Sequence, residues 1–124
     1  MTGVQTCALP ISTGVPVALE LAAVEPPVAV RYELCRILQE ALRNAASHAA
    51  PTAVTVRLSA RPGRVELRVA DDGRGFEPAV RGSAEHYGIR GMRERARAAG
   101  GSLRVLSTPG RGTAVEADIP AAPA

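Results

Sequence analysis

Three stretches of the chain, in a fixed order, constrain its fold more than any other feature. They are ELCRILQEALRNAASHA from Glu33, DDGRGF from Asp71 and HYGIRGMRERARAAGG from His86. The first has the apolar period of a helix, the second is a glycine turn that closes a strand, and the third is a helix start flanked by glycines. A chain that alternates such elements is expected to form an α/β fold.

The first stretch belongs to a helix predicted over roughly residues 28–49. Its apolar residues recur at three- and four-residue steps, as Leu34 and Leu38 do, and Pro51 ends the pattern. Glu40, Asn44 and His48 follow at four-residue steps, and such residues drift only about 40° around a helix axis. They therefore form a polar stripe that faces either a ligand or solvent.

Alternating apolar residues predict five strands around this helix. One precedes it and four follow it, and turns at residues 61–63 and 109–112 make two hairpins. The predicted fold is a two-layer α/β sandwich, in which a mixed, mostly antiparallel sheet of about five strands packs on two or three helices. The strands are Val15–Leu21, Ala53–Leu58, Val65–Val69, Leu103–Leu106 and Thr113–Ile119.

The segment from Glu77 to Tyr87 lacks periodicity and is predicted to be a loop, followed by a helix from about Ile89 to Ala99. Gly88 and Gly91 would then flank the start of this helix. Its first turn would also carry three arginines, where the helix dipole favours acidic side chains. A bound polyphosphate would offset that arrangement; the alternative is that the arginines are solvated, with Glu94 as a partial partner.

Composition excludes several classes of protein. The chain has 124 residues, a net charge of +3 and only 2% aromatic residues, so a nucleic-acid partner is not expected. No apolar run approaches the ~18 residues that a membrane span needs. Cys7 and Cys35 are too few for a disulfide framework, and Cys35 is predicted on the apolar side of its helix, which suits a reducing, cytoplasmic setting.

The amino terminus is predicted to lie outside the domain. Residues 2–11, TGVQTCALPI, resemble a translated sequencing-library adapter. The alternative, a clipped signal peptide, is disfavoured because the stretch lacks a basic start and its apolar part is short. We therefore predict a non-native or disordered segment at residues 1–13, one domain over residues 14–120 and a tail at residues 121–124.

The three stretches resemble the ATP-binding catalytic domain of sensor histidine kinases in the GHKL superfamily, most closely the nitrate-response-type branch with its Q-E-A-L-x-N and G-M-R-E-R signatures. The resemblance runs from about Gly14 to Pro120. It implies the Bergerat ATPase fold, with ATP and Mg²⁺ as ligands. It also implies two partners, a response regulator and a separate dimerisation domain that carries the phosphoacceptor histidine.

The resemblance also implies roles for single residues. Asn44 would coordinate magnesium and Glu40 would hold one of its waters, so these two are the expected catalytic and metal-binding residues. Asp71 would accept a hydrogen bond from the adenine amine, whereas guanine would present a keto oxygen there. Thr113 would steady Asp71 through water. The expected ATP-binding residues are Asn44, His48, Asp71, Gly73, Gly75, His86, Tyr87, Gly88, Ile89, Arg90, Gly91, Met92 and Thr113.

The chain departs from the family pattern at one position, since Ser47 stands where the family often has a lysine or arginine for a phosphate contact. Neither His48 nor His86 has the sequence context of a phosphoacceptor, and no P-loop or protein-kinase motif is present. Two alternatives stay open, a stand-alone anti-sigma-factor serine kinase and a degenerate nucleotide-sensing module.

Overall fold

The computed structural model of the chain describes residues 2–5, 17–22, 25–46, 51–75 and 84–120. These residues form six strands and two helices. In chain order, the elements are β1 (Thr2–Gln5), β2 (Val17–Ala22), α1 (Val28–Asn44), β3 (Val54–Arg61), β4 (Arg64–Asp71), α2 (Ala84–Ala98), β5 (Ser102–Ser107) and β6 (Thr113–Pro120).

The strands form one sheet in the order β1-β2-β3-β4-β6-β5. Among the six described strands, only β2 and β3 pair in parallel, and the intervening α1 supplies the crossover that a parallel pair requires. The hairpin between β3 and β4 turns at Gly63, whose φ of 72° favours glycine. The predicted α/β sandwich with a mixed, mostly antiparallel sheet is confirmed.

The core lies between one face of the sheet and the two helices. Alternate strand residues face this layer. Val69 and Val115 are direct cross-strand partners, and Val54 lies on the same face in the next strand; all three are buried. Ile37 of α1 and Met92 of α2 are almost fully buried against them. The apolar helix stripe predicted from the sequence is therefore the surface that holds α1 on the sheet.

The other face of the sheet carries charged side chains paired across strands. Arg57 contacts Glu20 at 2.6 Å, Arg64 contacts Asp118 at 2.7 Å, and Glu116 accepts from both Arg104 and Arg68. The Arg104 hydrogen bond, followed by the Arg68 hydrogen bond, lowers the pKa of Glu116. This layer is typical of a sheet face exposed to solvent.

Two predictions about element boundaries are wrong. The helix expected from Ile89 begins at Ala84, so the loop predicted to continue to Tyr87 ends earlier. Ala84 and Glu85 are strong helix formers, and glycine within a helix costs only about 1 kcal/mol, less than packing on α1 and the sheet can supply. The rest of that predicted loop, residues 77–83, lies outside the described residues.

Residues 2–5, which belong to the segment predicted to be non-native or disordered, form β1, which pairs antiparallel with β2. The unpaired backbone groups at the edge of a sheet accept any extended segment, whatever its sequence. The first helix is confirmed from Val28 to Asn44, and residues 47–50 lie outside the described part.

Cys35 is exposed, contrary to the prediction. The buried stripe of α1 runs through Leu34, Ile37 and Ala41, and Cys35 lies on the far side of it. Within the described residues, neither helix is long and apolar enough to cross a membrane.

Candidate functional site

The candidate site is built around Asp71, the last residue of β4. Its Cα pairs with Val54 on one side and with Thr113 on the other. Because strand side chains alternate, Asp71 lies on the same face as Val69 and Leu67, which is the face covered by the helices. A half-buried carboxylate therefore stands at the end of an apolar strand.

The surroundings of Asp71 determine its protonation. The Gly73 amide donates to Asp71 Oδ1 at 2.8 Å, and the Thr113 backbone also donates a hydrogen bond to the carboxylate. Burial nevertheless raises the pKa of Asp71, and the nearby charge of Asp72 adds to this effect, while the two hydrogen bonds oppose it. The carboxylate is held by backbone donors and only partly solvated.

Thr113 supports Asp71 from the neighbouring strand, but through its backbone. Its hydroxyl lies 2.8 Å from the Ser107 hydroxyl, and Ser107 also donates to the Gly112 carbonyl at 3.2 Å. Sequence reasoning missed Ser107. The alignment of β5 with β6 brings Ser107 opposite Thr113, and that register is not readable from either strand alone.

The glycine turn after β4 packs on the turn between β5 and β6. Gly75 (φ 64°) and Gly112 (φ 80°) have left-handed backbones, and a Cβ on either would collide with a backbone oxygen, of Thr108 and Asp71 respectively. The Gly110 amide donates to the Arg74 carbonyl between them. Gly75 is among the expected ATP-binding residues; in the structure, its lack of a side chain allows close approach of the protein's own backbone.

A groove of about 470 Å³ opens beside these turns. Its size lies within the range of small-molecule sites. Asp71 and Thr113 lie at one side of it, and Ser107, Thr108 and Arg111 line the rest of the turn region. Arg68, Ala70 and Ala114 also line it, and they alternate with Asp71 and Thr113 along their strands. The groove therefore opens mainly on the sheet face away from the helices and reaches Asp71 and Thr113 only at the ends of their strands.

A second group of predicted residues lies between the two helices. Gly88 packs so closely on Asn44 that a Cβ at Gly88 would lie 2.9 Å from Asn44 Nδ2. Glu40 lies 3.5 Å from Arg43 and lines a groove of about 170 Å³ together with Gly91 and Met92. The structure thus brings Glu40 and Asn44 of α1 against the glycine-containing turns of α2.

Asn44 and Glu40 offer only oxygen donors for a metal, one helical turn apart. That donor set suits Mg²⁺, which binds few protein oxygens and completes its shell with water and phosphate. Within the described residues, no cluster of three or more His, Cys, Asp or Glu side chains forms a metal site by itself. The two residues fit a cation that arrives with its phosphates.

The arginines of α2 differ from the prediction. Because the helix starts at Ala84, Arg90, Arg93 and Arg95 lie beyond its first turn. Arg90 pairs with Glu94 at 3.4 Å, which agrees with the alternative of solvated arginines that have Glu94 as a partial partner. Arg95 donates to Glu33 of α1 at 3.1 Å. The predicted cluster at a free helix start is therefore not present in this form.

The remaining predicted residues have varied positions. The side chains of Ile89 and Met92 are buried in the core, which gives them a packing role. The backbones of His86 and Tyr87 belong to the first turn of α2, not to a loop. His48 lies outside the described residues.

An open mixed sheet with two helices on one face and a half-buried carboxylate at a strand end make this an α/β sandwich domain with a polar site at the edge of its core. The profile of the family described as histidine kinase-, DNA gyrase B-, and HSP90-like ATPase matches residues 29–123. The chain belongs to this family. The resemblance to the GHKL ATP-binding domain is thereby confirmed.

Individual relatives agree with this assignment. The chain is 39% identical over 94 residues to the sensor histidine kinase LiaS of Bacillus subtilis (strain 168), which covers 76% of this chain and 26% of that protein. It is 32% identical over 120 residues to the sensor protein VraS of Staphylococcus epidermidis, and the match covers 95% of this chain and 34% of VraS. The chain thus spans about a quarter to a third of the length of these relatives.

Solved structures share the fold. The histidine kinase domain of the blue-light activated histidine kinase from Erythrobacter litoralis EL346 superposes with a TM-score of 0.73 at 29% identity, covering 86% of this chain and 52% of that one. Full-length ShkA in complex with AMPPNP superposes with a TM-score of 0.70 at 25% identity, and the match covers 90% of this chain and 26% of ShkA.

Proposed function

We propose that this domain is the ATP-binding catalytic domain of a two-component sensor histidine kinase. The observation that carries the proposal is Asp71, a half-buried carboxylate at the end of β4 that the Gly73 and Thr113 backbones hold. Membership of the ATPase family and the named sensor kinases among the relatives support it. The Q-E-A-L-x-N and G-M-R-E-R motifs favour the nitrate-response-type branch.

Asp71 selects the base in this proposal. An ionised carboxylate only accepts hydrogen bonds, so it pairs with the exocyclic amine of adenine and opposes the keto oxygen of guanine. Gly73 and Thr113 hold the carboxylate, and their backbone donors leave part of its acceptor capacity for the ligand. A site built this way discriminates strongly, because guanine would place an acceptor oxygen against the acceptor capacity that the two backbone donors leave unfilled.

Asn44 and Glu40 serve the phosphate end. Asn44 would ligate Mg²⁺ through its amide oxygen, and Glu40 would hold a metal-bound water. The cation supplies charge neutralisation of the phosphates during phosphoryl transfer. The backbone turns at Gly88 and Gly91, with Arg90 and Met92, would border this end, and His48, His86 and Tyr87 are proposed to complete it.

The acceptor histidine would come from a dimerisation domain of the parent kinase, with a response regulator as the next partner and the cytoplasm as the site of action. We propose further that residues 2–11 derive from a sequencing adapter.

Transfer in trans tests this function. The chain should form no phosphohistidine alone when incubated with γ-labelled ATP, and it should label a histidine when a cognate dimerisation domain is added. Asn44→Ala should abolish that label and lower nucleotide affinity less, because base recognition by Asp71 remains.

The stability of the label separates the alternatives. Phosphohistidine is acid-labile and base-stable, whereas an acid-stable label on a serine of a partner protein would indicate the anti-sigma-factor kinase instead. Acid-labile label on the isolated chain would contradict the proposed division between domains.

A further inference from the structure

Asp72, next to the proposed base-recognition residue, binds the segment that leads into β3. Its carboxylate accepts from the Thr52 amide at 2.8 Å, from the Ala53 amide at 3.0 Å and from the Thr52 hydroxyl. The Asp72 amide in turn donates to the Ala53 carbonyl at 3.4 Å. Four polar contacts thus join two segments about 20 residues apart in sequence.

These contacts occupy the carboxylate of Asp72. Three donors converge on it, and together they lower its pKa, with the Thr52 hydroxyl as the main cause. The side chain is exposed and does not line the groove beside Asp71. The Asp72 carboxylate is therefore directed toward residues 52 and 53.

We call the four contacts of Asp72 with Thr52 and Ala53 the clamp, and their position determines which part of the β4 turn they hold. On the far side of the turn, Gly75 is fixed because it packs on Thr108. Asp72 fixes the near side, between Asp71 and the Gly73 amide that donates to Asp71 Oδ1. Without the clamp, Gly73 would gain freedom of rotation, and the amide that orients the Asp71 carboxylate would no longer be held.

We propose that Asp72 is a positioning residue for base recognition, which orients Asp71 by holding the β4 turn to residues 52 and 53. The proposal rests on the function proposed above, in which Asp71 binds the exocyclic amine of adenine. Asp72 acts through Asp71 and Gly73 and does not touch the ligand.

The test compares ATP with purine riboside triphosphate, which lacks the exocyclic amine, by calorimetry with Mg²⁺. The Asp72→Ala variant should bind ATP about tenfold more weakly and purine riboside triphosphate within about twofold of wild type, because only the oriented hydrogen bond is lost. The measured quantity is the ratio of the affinity for ATP to that for purine riboside triphosphate. Asp72→Asn keeps an oxygen acceptor for the Thr52 and Ala53 amides and should retain the wild-type ratio within about threefold.

Asp118→Ala is the matched control. It removes a carboxylate that contacts Arg64 and Arg61 on the opposite face of the sheet, and it should leave the ratio unchanged. If Asp72→Ala does not fold, Thr52→Ala removes one of the three donors and should lower the ratio about twofold.

The outcomes separate the two proposals. A wild-type protein that binds both triphosphates equally contradicts amine recognition by Asp71, and the role of Asp72 falls with it. A wild-type preference for ATP that persists in Asp72→Ala, or in Thr52→Ala where that variant carries the test, overturns the positioning role alone. Equal losses for both ligands in Asp72→Ala also overturn it, because they indicate general destabilisation.

Discussion

Asp71 and Asp72 are adjacent carboxyl groups whose pKa values shift in opposite directions. Burial raises the pKa of Asp71, whereas the Thr52 and Ala53 donors lower that of Asp72. The folded state therefore holds the Asp71 proton more tightly than the unfolded state does, so its stabilising contribution is present in acid and is lost as the pH rises through its raised pKa. Asp72 also stabilises the fold, but in the opposite pH range. Its contribution is present above its ordinary pKa and is lost as the pH falls through its lowered pKa.

These shifts predict the pH dependence of base recognition. ATP affinity should fall as the pH drops through the raised pKa of Asp71, above the ordinary value of 3.8, because a protonated carboxyl loses part of its acceptor capacity. The Asp71→Asn variant is the control, because protonation of ATP itself affects its binding to both proteins equally. The ratio of wild-type to variant affinity, measured by calorimetry from pH 7 downward, should shrink; a constant ratio would contradict an ionised Asp71 as the acceptor.

At the scale of elements, the site depends on how α2 packs against the end of α1. Gly88 approaches the Asn44 carboxamide so closely that any side chain must displace it, whereas a Cβ at Gly91 would meet nothing within 4 Å. Both glycines lie inside α2, so alanine at either should favour the helix by up to about 1 kcal/mol. The two positions therefore separate helix stability from the geometry of Asn44.

Gly88→Ala should weaken the magnesium-dependent part of ATP binding, because the new methyl group forces Asn44 to rotate. Gly91→Ala should leave that part unchanged, and neither variant should melt below wild type. Affinities measured with Mg²⁺ and with EDTA give the magnesium-dependent part for each protein. Identical behaviour of the two variants would show that Asn44 does not act with the metal.

At the scale of the molecule, the sheet brings together residues that are far apart in sequence. Thr113 could be assigned to the site from a family motif, and its Cα does pair with that of Asp71. Period-two and helical patterns were sufficient to predict α1, the β3–β4 hairpin and the β5–β6 hairpin. These elements are set by local periodicity and turn residues, which the sequence displays directly.

The features that sequence missed depend on long-range contacts. The contact of Asp72 with residues 52 and 53 requires the register of β3 against β4, and the pairing of Ser107 with Thr113 requires that of β5 against β6. The early start of α2 reflects packing on α1 that overrides the two glycines. Strand β1 has no pattern of its own and uses the open edge of β2.

Selective binding of ATP by Asp71 is the central claim, and calorimetry with Mg²⁺ tests it most directly. Wild-type protein should bind ATP at least about tenfold more tightly than GTP. Asp71→Asn should lose about 1.5 to 3 kcal/mol of ATP binding, on the order of tenfold to a hundredfold, without a lower melting temperature at neutral pH, because the ionised carboxylate opposes folding there. Equal isotherms for ATP and GTP with the wild-type protein would contradict the account.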